Sequence, residues 1–174
     1  LYNGLPDALF SKLDYIQYQR QPYCMIMATD KVYRQDFNPM MDLHLESEAD
    51  ITVLYSRNPD LLGDTSGATT YFKLEDDGRI TDIVEDTGGA DGYVTNLGVS
   101  IMSKDLIVRL VEDCCADGLY RFDMDLLKRA IQECKVVGYE HEGYVGGITS
   151  VKSYFDLNQD MLDKDVRYEL FNPD

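Results

Sequence analysis

The segment Tyr23-Cys24-Met25-Ile26-Met27-Ala28 is a continuous apolar run, and a run of that kind fits a strand buried on both faces. A strand so placed needs helices above and below its sheet, so the run points to an α/β arrangement. Thr29-Asp30 falls at its carboxyl end, the edge of an open α/β sheet where ligands bind, which makes Asp30 the first position of chemical interest.

The flanking segments fit the same architecture. Pro6-Asp7 followed by Ala8, Leu9, Leu13 and Ile16 sets apolar positions at helical spacing behind a proline and predicts a helix over residues 6–20. Asn38-Pro39 reads as a cap and a first-turn proline, opening a helix through Met40, Met41, Leu43, His44 and Leu45 into a strand from Asp50 to Tyr55. Residues 57–70, with Asn58-Pro59-Asp60, Gly63 and Gly67, read as a loop. Tyr71-Phe72-Lys73-Leu74, the turn Asp76-Asp77-Gly78-Arg79 and the strand Ile80 to Val84 then form an inserted β-hairpin. After a second loop over residues 86–92 come a strand from Tyr93 to Met102 and a helix from Ser103 to about Cys115. Asp123 is placed to cap a helix through Leu126, Leu127, Ala130 and Ile131, ahead of a strand Val136-Val137-Gly138-Tyr139-Glu140. Gly143 to Gly147 is a glycine-rich turn, and Ser150 caps a last helix with Val151, Tyr154, Phe155, Leu157 and Met161 on one side. The expected fold is one α/β domain, a mixed, mostly parallel sheet flanked by helices with the hairpin inserted.

Charge narrows the function classes. With 32 acidic and 16 basic residues the net charge is -16, which repels nucleic acid and anionic membrane surfaces. No apolar run approaches the roughly 20 residues that span a bilayer, and no leader pattern opens the chain, so a cytoplasmic location is expected. Cys24, Cys114, Cys115 and Cys134 include no CxxC pair, and with only His44 and His141 beside them they read as buried reduced thiols rather than a zinc site. The chain opens at Leu1 within a helix start and closes on the turn signal Asn172-Pro173-Asp174, so an internal fragment of a longer protein is expected.

Asp30 alone supports two readings, a carboxylate for a magnesium ion and a cap for the following turn. The order of segments says more. Gly4-Leu5-Pro6-Asp7-Ala8, Met27-Ala28-Thr29-Asp30-Lys31-Val32-Tyr33, Ala49-Asp50-Ile51-Thr52-Val53, Asp77-Gly78-Arg79-Ile80, Asn96-Leu97-Gly98-Val99 and Gly143-Tyr144-Val145-Gly146-Gly147-Ile148-Thr149-Ser150 occur in succession. Together they resemble sugar nucleotidyltransferases, and most closely the bacterial glucose-1-phosphate adenylyltransferase (ADP-glucose pyrophosphorylase) family, over nearly the whole chain.

The resemblance implies a nucleotide-diphospho-sugar transferase fold, Rossmann-like, and a pocket of which Gly4, Asp7, Glu85, Asp86, Gly98 and Gly147 are remnants. Asp30 matches the family's metal aspartate in S-G-D-H-V/I-Y, with Lys31 beside it. The family's second metal aspartate, in G-Y-W-x-D-I/V-G-T, is replaced by Gly147, so magnesium, which the family uses, meets half a site and no cofactor is expected in this chain. The sugar-phosphate lysine of E-K-P is replaced in Glu85-Asp86-Thr87 by an acid, which reverses the sign of that contact, and the F-G-V turn becomes Thr69-Thr70-Tyr71. The resemblance also implies that the triphosphate loop before this segment and the left-handed β-helix after it lie outside the chain. No residue is assigned a catalytic role.

These substitutions predict a regulatory, catalytically impaired subunit in glycogen biosynthesis, paired in a hetero-oligomer with a catalytic adenylyltransferase subunit. An active enzyme is the alternative, with Asp30 helped by Glu85 or Glu142 in making ADP-glucose from ATP and glucose 1-phosphate. A third reading is a ligand-binding sensor without turnover. Tyr15, Tyr18, Tyr23 and Tyr33 read as core and rim packing. The acidic stretch from Glu75 to Asp91 reads as a solvated hairpin or a docking surface for a basic partner, and an unpaired edge strand is expected to allow self-association of the chain.

Overall fold

The computed structural model describes residues 1–58, 69–87 and 91–172. Pro59, Asp60, Gly63 and Gly67 of the first predicted loop, residues 88–90 of the second, and Pro173-Asp174 lie outside them. The chain runs through α1 (Leu5–Phe10), α2 (Leu13–Tyr18), β1 (Tyr23–Met27), β2 (Lys31–Val32), α3 (Asn38–Glu46) and β3 (Ile51–Ser56). It continues through β4 (Tyr71–Leu74), β5 (Ile80–Val84), β6 (Tyr93–Ser103) and α4 (Lys104–Ala116). A π-helical turn (Phe122–Leu127) leads into α5 (Lys128–Glu133), followed by β7 (Val136–Glu140), β8 (Gly146–Gly147), α6 (Val151–Asp160) and α7 (Lys164–Phe171).

The main sheet has the order β5-β4-β6-β3-β7, with β1 also paired to β6. It is the expected mixed sheet flanked by helices, but its ladders are mostly antiparallel rather than mostly parallel, because β6 is paired on both edges with strands that run against it. β1, β3, β4 and β7 share one direction, but the long β6 threads between them the other way, so β3·β7 is the parallel ladder and the β6 ladders are antiparallel. β4 and β5 form the predicted hairpin.

Both faces of the sheet are packed. One carries Ile51, Val53, Phe72, Ile107, Leu110 and Leu126, brought by the sheet, α4 and the π-helical turn, and the other carries Met40, Leu54, Leu97, Val99, Ile101 and Val145. Each such side chain contributes on the order of 1.5–3 kcal/mol by leaving water. β3 lies between β6 and β7 and is buried at every position, as a strand covered on both sides must be.

Several local expectations are corrected. The predicted helix over 6–20 is two helices, α1 and α2, separated at Ser11–Lys12. β1 is not buried on both faces: Cys24 and Ile26 turn inward while Tyr23, Met25 and Met27 are exposed, and on that side Tyr23 meets the His44 ring of α3 edge-on. Asn38 does not cap α3 with its side chain; instead its N and Nδ2 donate to Asp36 Oδ1 at 2.9 and 2.8 Å. Ser150 caps α6 in a reciprocal box with Ser153, but Leu157 is the one buried residue of the helix, and Val151, Tyr154 and Phe155 face outward. Asp123 caps nothing. Asp125 Oδ2 accepts from the backbone N–H groups of Tyr120 and Arg121 at 3.1 and 2.8 Å, and Asp123 is turned elsewhere.

One consequence of the topology positions the site. Along one edge of β6, β1 pairs with residues 99–103 and β4 with residues 93–95. Between the end of β1 and the start of β4 the edge is open over Asn96, Leu97 and Gly98, bounded by Ala28 N–H donating to Gly98 O (2.8 Å) and Asn96 N–H donating to Thr70 O (3.0 Å). On the opposite edge the register jumps there: Val53 pairs with Ser100 and Tyr55 with Asn96, so β6 bulges over 97–99 against Leu54 alone. A bulge re-aims side chains, and this one turns Asn96 toward the gap.

Candidate functional site

The gap opens into three adjoining cavities. One, of about 330 Å³, is lined by Ala28, Thr29, Asp30, Lys31, Thr70, Asn96, Gly98 and Asp123. A second, of about 250 Å³, shares Ala28, Thr70, Gly98 and Asp123 and adds Glu85 and Arg121. The third and largest, about 560 Å³, shares Lys31 and extends past Thr95, Gly146 and Gly147 to the start of α6.

A closed polar network forms the floor. Asn96 Oδ1 accepts from Gly98 N–H at 2.7 Å, fixing the bulge, and Asn96 Nδ2 donates to Thr70 Oγ1 at 2.9 Å and to Asp123 Oδ2 at 3.0 Å. Thr70 Oγ1 donates to the same Asp123 oxygen at 2.9 Å. Burial pushes the Asp123 carboxyl above its ordinary range, opposed by the Thr70 hydroxyl and the Lys31 charge and reinforced by Asp30.

Asp30 sits at the wall, where the sequence places it. Its backbone carbonyl accepts from Ile148 N–H at 2.7 Å, tying β2 to β8. Its Oδ2 accepts from Lys31 Nζ at 3.0 Å, while Oδ1 is buried without a hydrogen-bond partner. The Lys31 side chain is only 8% exposed, so its ammonium has little room to leave. Tyr33 follows on the same turn; burial and then the Asp30 charge push its phenol up to about 12.

The remaining sequence-derived positions divide. Gly98 and Gly147 line the cavities, as does Glu85, which is ion-paired with Arg121. Gly4, Asp7 and Asp86 stand outside these linings. Gly4 packs against the backbone of Tyr120, Asp7 accepts from Asn3 N–H at 2.9 Å ahead of α1, and Asp86 is exposed. Glu142, offered as a helper to Asp30, is also exposed and lines none of these cavities. His44 and His141 are buried at 3% and 4% exposure, with Nδ1 atoms 2.8 Å from Thr52 Oγ1 and 2.7 Å from Gln35 Oε1, and burial lowers the pKa of both. They are structural. The four cysteines are free thiols held above their ordinary pKa by burial. Tyr23 and Tyr33 pack on the rings of His44 and His141, whereas Tyr15 and Tyr18 are exposed.

Arg121 and Asp123 line the candidate site and were missed by sequence reasoning. Two acids two residues apart, Asp123 and Asp125, precede one helix, and spacing alone does not choose which caps it. Arg121 also neutralises Glu85, the residue before the Asp86 at which the sign reversal is expected. Yet each lysine or arginine that lines the three cavities already has a carboxylate partner: Lys31 with Asp30, Arg121 with Glu85, and Lys152 with Asp156. A phosphate entering here would have to displace one of them.

The metal that the resemblance implies does not fit these residues. Gly147 brings no donor, and a Cβ built there meets nothing within 4 Å. Asp30 already holds an ammonium, and among the described residues no three His, Cys, Asp or Glu side chains converge where they could hold a metal ion. Among the same residues no helix is long and apolar enough to cross a membrane.

Comparison with known proteins agrees with the fold. The model of the nucleotidyl transferase family matches residues 2–164. Glucose-1-phosphate adenylyltransferase of Geobacillus stearothermophilus is 22% identical over 98% of this chain and 44% of its own length. The enzymes of that name from Bacillus subtilis and Thermomicrobium roseum are 24% and 27% identical, over 98% and 99% of this chain and 45% and 40% of their own lengths. The chain thus spans less than half the length of these curated relatives.

Proposed function

The chain belongs to the nucleotidyl transferase family, and on that premise we propose that it serves in ADP-glucose synthesis as a regulatory, catalytically impaired subunit of a glucose-1-phosphate adenylyltransferase. The observation that carries this reading is the pairing at the site: Lys31 is held by Asp30, and Gly147 opposite supplies no carboxylate. The fold is retained while the groups that would meet phosphates are engaged with one another. Such a subunit acts by binding a catalytic paralogue and shifting its activity, a coupling between two chains rather than turnover in one. The pathway is glycogen synthesis, the partner is the catalytic adenylyltransferase subunit in a hetero-oligomer, and the location is the cytoplasm.

The test is an ADP-glucose synthesis assay on the protein alone, on the paralogue alone and on the mixture. Activity in the mixture above that of the paralogue alone, with none from this protein by itself, is the expected result. Comparable turnover from this protein alone would overturn the proposal. Arg121 and Asp123, two charges at the cavity that the sequence did not foresee, favour a second reading, an active sugar-phosphate nucleotidyltransferase. It requires turnover by the protein alone that is lost on Asp30→Asn.

A further inference from the structure

Lys31 and Gly147 are directly opposite one another in the short antiparallel pair β2·β8. Residues so paired project from the same face of the ladder, so a side chain at 147 would stand beside that of Lys31. Nothing lies within 4 Å of a Cβ built at Gly147, and both residues line the largest of the three cavities. The Lys31 side chain fills its place at 8% exposure and puts Nζ 3.0 Å from Asp30 Oδ2.

We propose that Lys31 is a tethered cation that occupies the cation position at Asp30 and excludes a free divalent ion from it. The charge balance supports this. A carboxylate buried on one oxygen needs a positive partner, and the chain supplies one covalently, so no ion need be recruited from solution. A dication would have to come within about 2.0–2.6 Å of Oδ2, which already accepts from the ammonium, or of Oδ1, which is buried, and in either place would meet that ammonium's repulsion without a second protein donor across the gap. Asp123 does not serve as that donor, because one of its oxygens accepts from both Thr70 and Asn96 and the carboxyl is shifted toward its neutral form.

The inference goes beyond the regulatory reading, since it concerns metal occupancy of this chain alone and is measured without a partner subunit or substrate. Manganese chloride is titrated into the purified protein, with bound Mn²⁺ read by electron paramagnetic resonance and by thermal stabilisation. The wild type and Asp30→Asn are expected to give the same curve up to about 1 mM, the weak end of protein sites for hard cations. The Lys31→Met/Gly147→Asp double variant, which removes the tethered charge and restores a carboxylate opposite, is expected to gain one site at least about tenfold tighter than any in the wild type, with a matching rise in Tm. Adding Asp30→Asn to that double variant should abolish the gain. A saturable Mn²⁺ site in the wild type that Asp30→Asn removes would overturn the proposal. So would a double variant that folds, by circular dichroism, and gains no site. The wild-type arm stands even if the double variant does not fold, and a failed mixing assay with no Mn²⁺ site in the wild type would count against the regulatory reading alone.

Discussion

Gly98 and Gly147 both line the site, yet their backbones ask for glycine to different degrees. Gly98 has φ +74°, and a Cβ there would lie 2.5 Å from the Ala28 Cβ, while a Cβ at Gly147 meets nothing within 4 Å. Replacing Gly98 with alanine therefore imposes both a left-handed backbone and a collision with a methyl group that has no rotamer to escape into. Urea unfolding should show Gly98→Ala losing about 1–3 kcal/mol and Gly147→Ala changing by less than about 0.5 kcal/mol. Equal losses at the two positions would mean that the bulge over 97–99 is not the constrained element described above. The same contrast bears on the site: the carboxylate missing at 147 is not excluded by space. The residue there is small although the structure has room for more.

At the scale of elements, α6 and β3 occupy opposite ends of a range of packing. β3 is buried at all six positions, whereas α6 is held by its Ser150–Ser153 capping box and by Leu157, 7% exposed, which lies over Gly146. An element anchored by one buried apolar side chain and an exposed hydrogen bond, here Tyr144 O–H to Asp160 Oδ2 at 2.8 Å, opens locally, and an element at the centre of a sheet opens only with the whole domain. Leu157→Ala should accordingly speed amide hydrogen exchange across α6 and lower the global unfolding midpoint little. Leu54→Ala in β3 should cost about 2–5 kcal/mol of global stability. If Leu157→Ala lowered global stability as much as Leu54→Ala, α6 would be part of the cooperative core. α6, which the sequence predicts as the last helix although α7 follows it, also shows why an outcome can differ from its pattern. Apolar residues at helical spacing predict a face that is buried, but burial also needs a surface to receive it, and Val151, Tyr154 and Phe155 find none among the described residues.

Over the whole molecule the net charge of -16 is larger than the ion pairs can neutralise locally. Seven ion pairs are formed among the described residues, most on half-exposed side chains, and pairs of that kind contribute little each. Long-range repulsion among the excess carboxylates should dominate the response to salt, because screening at about 0.15 M ionic strength shortens its reach to about 8 Å. Raising sodium chloride from about 10 to about 150 mM is expected to raise Tm by a few degrees in a calorimetric scan. A fall in Tm would show that the ion pairs, which salt weakens, outweigh the repulsion. What the sequence by itself determined is what local chemistry encodes: the alternation of strands and helices, the β4–β5 hairpin through Asp76-Asp77-Gly78-Arg79, the capping serine at 150, the position of Asp30 at a strand end, and the resemblance that led to the family. Periodicity, caps and turns are properties of neighbours a few residues apart, so they can be read along the chain. Only the tertiary structure decided that β6 runs against its neighbours and leaves a gap between β1 and β4, that Asp123 enters this gap while Asp125 holds the backbone amides of Tyr120 and Arg121, and that Lys31 stands opposite Gly147. Each of those joins residues dozens of positions apart, and which of several like side chains reaches a cavity is set by the register and packing of elements that have no contact until the chain has folded.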